Sequence, residues 1–221
     1  MGLRSLTEVP LPEPQFAPVK AGDGLSVRGL RASYDRTAVW EQVSFSAPRG
    51  QITAITGHNG AGKTTLARCL CGLMKEKTGT ILWDGKPASR KDRKRKGFLI
   101  MQDVNLQLFA DSVLAEAQLG NDANEMEAMA ALERMDLAQY VQAHPLALSG
   151  GQKQRLSIAC GILSDRGILI FDEPTSGLDG GNMGIVADVF RTEAEAGKTI
   201  LVITHDRELM HRCCDDVVTL A

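Results

Sequence analysis

Apolar residues along this chain follow two patterns, alternation or short solid runs in some segments and helical spacing in others. Residues 25–34 and 43–47 alternate apolar with polar positions, as half-buried strands do. Residues 51–56, 80–83, 97–101, 167–171, 199–204 and 217–220 read as further strands, several of them unbroken apolar runs typical of strands buried on both faces. Helical spacing begins at Thr64 and runs to about Leu73. From Asp111 to Ile162 the pattern is helical, with Asp111 a candidate cap and Asp122 with Glu125 a candidate capping box. Strands, a helical block, then strands again predict an α/β fold whose parallel-sheet core carries a helical insertion.

Composition narrows the picture modestly. With 221 residues the chain is long enough for one sizeable α/β domain. A formal charge of -2 gives no global attraction to nucleic acid or anionic lipid, and 5% aromatic residues argue against a stacking surface for single strands. The five cysteines (Cys69, Cys71, Cys160, Cys213, Cys214) lack a framework spacing and read as reduced thiols. No apolar run is long enough to span a bilayer, so any membrane role is expected to come through a partner.

Residues 1–22 hold Pro10, Pro12, Pro14 and Pro18 and read as an extended linker or arm ahead of a domain at 23–221. Residues 90–96 (RKDRKRK) form the one strong charge block. They read as a solvated loop or helix face, with an anionic partner such as lipid headgroups or RNA as the alternative. Met126, Met129 and Met135 lie near one helical face and read as packing residues.

Three segments carry chemistry. The first is GHNGAGKTT, from Gly57 to Thr65, placed between an apolar strand and a helix. Glycines let the backbone wrap closely, so that N–H groups of Asn59, Gly60, Ala61, Gly62, Lys63, Thr64 and Thr65 can face phosphate oxygens. Lys63 offers a cation to the outer phosphates, and the Thr64 hydroxyl can ligate Mg²⁺. The second is GILIFDEPTSGLD, where a buried strand ends in Asp172, a carboxylate for the same Mg²⁺. Glu173 then leaves the strand in another direction and is the candidate general base. The third is LSGGQKQR, where Ser149, Gly150 and Gly151 open a helix and make a second anion-binding terminus.

The order GHNGAGKTT, Gln102, LSGGQ, ILIFDEPTSGLD and ITHD resembles the nucleotide-binding domain of ABC transporters, over about residues 23 to 221. The resemblance implies a P-loop NTPase (RecA-like) core, an antiparallel β-subdomain and an inserted helical subdomain at about 106–164. It implies ATP and Mg²⁺ as ligands, ATP hydrolysis, and head-to-tail pairing with a second ATPase domain. Ser149, Gly151 and Gln152 would then serve the nucleotide held by the other copy. It further implies that Tyr34 stacks on adenine, that Gln102 senses Mg²⁺ and the γ-phosphate, that Asp179 lies at the dimer seam and that His205 contacts the γ-phosphate.

From Gln102 the chain reads QDVNLQLF, similar to the QDPxxQLF of energy-coupling factor (ECF) importers of vitamins and transition metals, with Val104 in place of the proline. That resemblance implies a transmembrane coupling subunit seated on residues Gln102 to Ser112, and a peripheral position on the cytoplasmic face of the membrane. The proline-rich arm resembles an inter-cassette linker, the expectation for one half of a tandem ATPase. The competing function is a soluble ABC ATPase acting on ribosomes or nucleic acid through residues 90–96; with a single cassette and no long coiled coil, no nucleic acid partner is expected.

Overall fold

The computed structural model describes residues 23–34 and 37–220. The linker expected at 1–22 lies outside the described residues, as does the side chain of Tyr34.

Two sheets form. The smaller is antiparallel, in the order β2-β1-β4-β5. Here β1 is Gly24–Tyr34, β2 Thr37–Pro48, β4 Thr78–Trp83 and β5 Lys86–Pro87. The larger is parallel throughout, in the order β6-β7-β8-β3-β9. Its strands are β3 (Ile52–Gly57), β6 (Gly97–Ile100), β7 (Ile168–Asp172), β8 (Thr199–Ile203) and β9 (Asp216–Leu220).

Solid apolar runs end up in the parallel sheet because both of its faces are covered. Along β7 and β8, Leu169, Phe171, Ile200 and Val202 join one core, while Ile168, Ile170, Leu201 and Ile203 join the other. The first core packs against the helical block and α6 (Gly180–Glu195), where Phe171 and Phe190 stack with ring centroids 4.2 Å apart. The second packs against α1 (Lys63–Leu70) and the antiparallel sheet. Each fully buried Ile, Leu or Phe contributes about 1.5–3 kcal/mol, so this two-sided burial fixes the sheet that carries the site.

The helical block holds α3 (Val113–Gln118), α4 (Glu125–Arg134) and α5 (Gly150–Leu163). Its caps differ from the sequence expectation. Ser112 rather than Asp111 caps α3, accepting from Ala115 N, and the capping box before α4 is Asn124 with Glu127, not Asp122 with Glu125. In each case the residue one or two positions later has the extended backbone that a cap needs.

The basic run forms the expected helix face, with one exception to its exposure. Residues Arg90–Lys96 form helix α2, capped by a Ser89–Asp92 box, but only part of it is solvated. Arg93 is 2% exposed. Its guanidinium holds Glu76 through both carboxylate oxygens at 2.9 and 2.8 Å and donates to Cys69 O at 2.7 Å. A buried charge persists only when paired in this way, and a sequence of consecutive cations gives no sign of which one turns inward. Of Met126, Met129 and Met135, Met135 is fully buried while Met126 is 76% exposed.

Candidate nucleotide site

The parallel strands deliver their C-terminal ends to one edge of the sheet. Phe171 pairs with Ile100, Asp172 with Ile203, and Ile203 with Ile55, so the segments after β3, β6, β7 and β8 emerge side by side. This is the edge at which open α/β sheets bind ligands.

After β3 the chain turns through Gly57, Gly60 and Gly62, with φ of 142°, 87° and 83°. A Cβ on Gly57 would lie 2.5 Å from Leu220 O, and one on Gly62 would lie 2.2 Å from Val39 Cγ1 and 2.4 Å from Trp40 Nε1. Only glycine fits either place. Lys63 opens α1 and folds back, its Nζ donating to Gly57 O at 2.7 Å and His58 O at 3.1 Å. The ammonium thereby closes a ring across the mouth of the loop.

Next to it, Thr64 Oγ1 donates to Asp172 Oδ2 at 2.7 Å. Asp172 is 3% exposed, and burial pushes its carboxyl above the ordinary range, against the Thr64 hydrogen bond and the nearby Lys63 charge. Glu173 follows with φ 51°, a left-handed conformation rare for a side-chain-bearing residue and costing about 1–3 kcal/mol. Its N–H donates to Ile203 O at 2.9 Å, which supports the strained turn. Burial raises the Glu173 carboxyl, His205 opposes that, and Asp172 adds to it. His205, half exposed after β8, places Nε2 3.9 Å from Glu173 Oε1.

These residues share one cleft of about 590 Å³, lined by Asn59, Gly60, Gly62, Lys63, Thr64, Thr65, Gln102, Asp172, Glu173 and His205, with Val39 on its wall. Ala61 is buried beneath the loop. A hydroxyl and a carboxylate in contact are the hard oxygen donors that Mg²⁺ takes, and at Gly60 a Cβ would meet nothing within 4 Å, so open space fronts the loop backbone. The residues present therefore fit a magnesium-bound polyphosphate.

Ser149, Gly151 and Gln152 are not in that cleft. They line a second one of about 540 Å³, with Asp179, Asn182, Asn105 and Gln102. Ser149 and Gln152 form a reciprocal capping box at the start of α5, Gln152 N donating to Ser149 Oγ and Ser149 N to Gln152 Oε1. A Cβ on Gly151 would meet Leu178 Cδ2 at 2.9 Å. Asp179 caps α6, and the Asn182 N–H it accepts holds its carboxyl below the ordinary range. Gln102 alone among the predicted site residues borders both clefts. Lys153 Nζ donates to Asn105 Oδ1 at 3.0 Å, tying α5 to the segment that follows Gln102.

Several residues that build the site escape the sequence reading. Val39 and Trp40 form the wall that forces glycine at 62. Gln107 is locked into the loop after β6, accepting from Met101 N and donating to Leu99 O, both at 2.7 Å. Buried Glu116 accepts from Phe109 N and Ala110 N and leaves the Phe109 ring 73% exposed. The doubled glutamine in QDVNLQLF was the available signal for Gln107; nothing local marks Glu116.

A phosphate loop, a carboxylate pair at the end of a buried strand and a second glycine-led helix start, set on a parallel core with an antiparallel sheet, define a P-loop nucleotide-binding domain. The model of the ABC transporter family matches residues 40–176. The chain belongs to that family and is an ABC ATP-binding domain, the ATPase class read from its motifs. It is 46% identical over 201 residues to a putative ABC transporter ATP-binding protein of Treponema denticola, covering 90% of this chain and 41% of that protein. It is 36% identical over 225 residues to the putative HMP/thiamine import ATP-binding protein YkoD of Bacillus subtilis, covering 97% and 41%. The chain thus spans about two fifths of the length of these curated relatives. Among solved structures, CbiO1 of Clostridium perfringens, part of the ABC transporter complex cbiONQ, superposes with a TM-score of 0.77 at 30% identity, covering 90% of this chain and 85% of that one.

Proposed function

We propose that this chain binds MgATP in the Lys63 cleft, pairs head-to-tail with a second ATPase domain, and hydrolyses ATP to power import across a membrane. One observation carries the reading: the two anion-accepting helix starts, at Gly62–Lys63 and at Ser149–Gly150, open on separate clefts of one chain. Apart from Gln102 the two clefts share no lining residue, so in this reading the second start serves the nucleotide of another cassette.

Within that reading each side chain has a task. The loop N–H groups and Lys63 hold the β- and γ-phosphates. Thr64 and Asp172, with Gln102 nearby, would hold Mg²⁺, which supplies positive charge to the phosphate oxygens. Glu173 accepts a proton from the attacking water; its raised carboxyl is a better base for that purpose than an ordinary glutamate. His205 donates toward the γ-phosphate. Ser149, Gly151 and Gln152 close on the partner's nucleotide with Asp179 at the seam, and Tyr34 stacks on adenine. Residues 23–221 form this ATPase domain, with 106–164 as its helical subdomain.

An ECF-type importer of a vitamin or transition metal is the transport system that the features support best. QDVNLQLF supports it, as do the import named for the Bacillus relative and the complex named for the Clostridium structure. Leu106 and Phe109, 62% and 73% exposed, give the 102–112 segment an apolar surface for a transmembrane coupling subunit. No helix among the described residues is long and apolar enough to cross a membrane, so in this reading the chain sits peripherally on the cytoplasmic face. The burial of Arg93 interrupts the basic run that a nucleic-acid partner would need.

Affinity capture from gently solubilised membranes tests the proposal. An integral membrane protein is expected to copurify with the wild-type chain and to be lost with Phe109→Asp. Repeated recovery of the wild-type chain without one would contradict the transport role.

A further inference from the structure

Glu173 and His205 lie on different turns, one following β7 and the other β8, and something must hold those turns in register. The Glu173 N–H bond to Ile203 O is one clamp. A second lies two residues further on, where Thr175 Oγ1 donates to Asp206 Oδ2 at 3.0 Å. Thr175 is 4% exposed and Asp206 is half-buried, so the bond is partly shielded from solvent. Asp206 is itself fixed twice more. Its N–H donates to Thr204 Oγ1 at 3.0 Å, and its Oδ1 accepts from Glu208 N and Leu209 N, capping helix α7 (Arg207–Cys213). His205 therefore sits between a buried Thr204 and a triply held Asp206.

We propose that Asp206, acting through Thr175, is a positioning residue that sets the Glu173 turn against the His205 turn for water activation. The cap of α7 uses Oδ1 alone; Oδ2 is the oxygen turned toward Thr175, which a capping role by itself does not require. With the Glu173 clamp, this bond closes a ring through both turns, within which the Glu173–His205 separation is 3.9 Å. The inference rests on Glu173 being the base.

Thr175→Val removes the hydroxyl at nearly constant volume and leaves the α7 cap intact. Thr175→Ser keeps the hydroxyl. ATP turnover by the full chain, in the assembly in which wild type is active, should fall about tenfold in kcat for Thr175→Val with KM within about twofold, and stay within about twofold of wild type for Thr175→Ser. In a Glu173→Gln background, read by single turnover, Thr175→Val should add no more than about a twofold loss, because the two act as a unit. If Thr175→Val does not fold, Asp206→Ser replaces it: serine caps a helix well but is too short to reach Thr175, and the same loss is expected. Wild-type kcat in these variants, a change confined to KM, or an equal loss in the Glu173→Gln background would overturn the positioning role while leaving the ATPase reading intact. No turnover by wild type would overturn both.

Discussion

Thr64 Oγ1 and Asp172 Oδ2, 108 residues apart in the chain, meet at 2.7 Å. That contact brings the first turn of α1 and the end of β7 into one cleft, and it sets side by side the hydroxyl and carboxylate that would hold Mg²⁺ in the proposed reading. It also has a cost. Burial holds the Asp172 carboxyl above its ordinary value, and Glu173 is held above its own. Between the ordinary and the raised values the folded domain binds more protons than the unfolded chain, so stability falls as pH rises through that window and the full cost remains at neutral pH. Asp172→Asn keeps an oxygen for Thr64 and removes the buried charge. Without nucleotide at neutral pH it should melt a few degrees above wild type, the scale on which about 1 kcal/mol moves a domain of this size. It should also lose the extra stabilisation that Mg²⁺ gives with ATP. Differential scanning calorimetry with and without MgATP measures both; an unchanged or lower melting temperature without nucleotide would contradict the cost assigned to Asp172.

Lys63 is held at the loop mouth by two carbonyls, ready to exchange them for phosphate oxygens. Hydrogen bonds to charged groups contribute about 1.5–3 kcal/mol, so Lys63→Ala should weaken ATP binding by about 10- to 100-fold. Titration with a fluorescent ATP analogue reads this directly. The same variant should show no measurable turnover.

Gly62 is the position where the loop has no room to spare. Alanine there would combine a φ of 83° with contacts of 2.2 and 2.4 Å to Val39 and Trp40. Gly62→Ala should destabilise the domain by about 2 kcal/mol or more, seen in urea unfolding as a lower midpoint with an unchanged slope. Gly60→Ala, with open space around its Cβ, should meet only the backbone penalty of its positive φ.

Much of this fold was legible in the order of apolar patterns, because solid runs such as residues 167–171 can bury both faces only inside a parallel sheet. The phosphate loop and the carboxylate pair were legible too, since each lies within a few consecutive residues. What stayed hidden depends on contacts across the chain. Arg93 turns inward because Glu76 accepts from its Nη2 and Cys69 O from its Nη1, and no local signal distinguishes it from Arg95. The Thr175–Asp206 bond, spanning 31 residues, exists only because β7 and β8 are neighbours in register. Caps slipped by one or two positions because several polar residues precede α3 and α4, and backbone geometry chooses among them.

The second cleft makes a separate claim. Gly151 faces Leu178, whose Cδ2 would lie 2.9 Å from an added Cβ, and it lines the second cleft, whereas Lys63 lines the first. Gly151→Asp should leave ATP affinity within about threefold of wild type, because its own phosphate loop is intact, yet lower turnover at least about a hundredfold, since the partner's nucleotide meets a carboxylate. Equal losses of binding and turnover would place Gly151 in the wrong cleft.

A nucleotide shared between two cassettes is tested most directly by the solution mass of the Glu173→Gln chain in saturating MgATP. Without its base the variant should bind ATP, close and stay closed, so that light scattering reports a two-cassette particle with ATP and single cassettes without it, either for the chain alone or when mixed with the other cassette of its transporter. A single-cassette mass in both mixtures, with ATP demonstrably bound, would contradict the shared site.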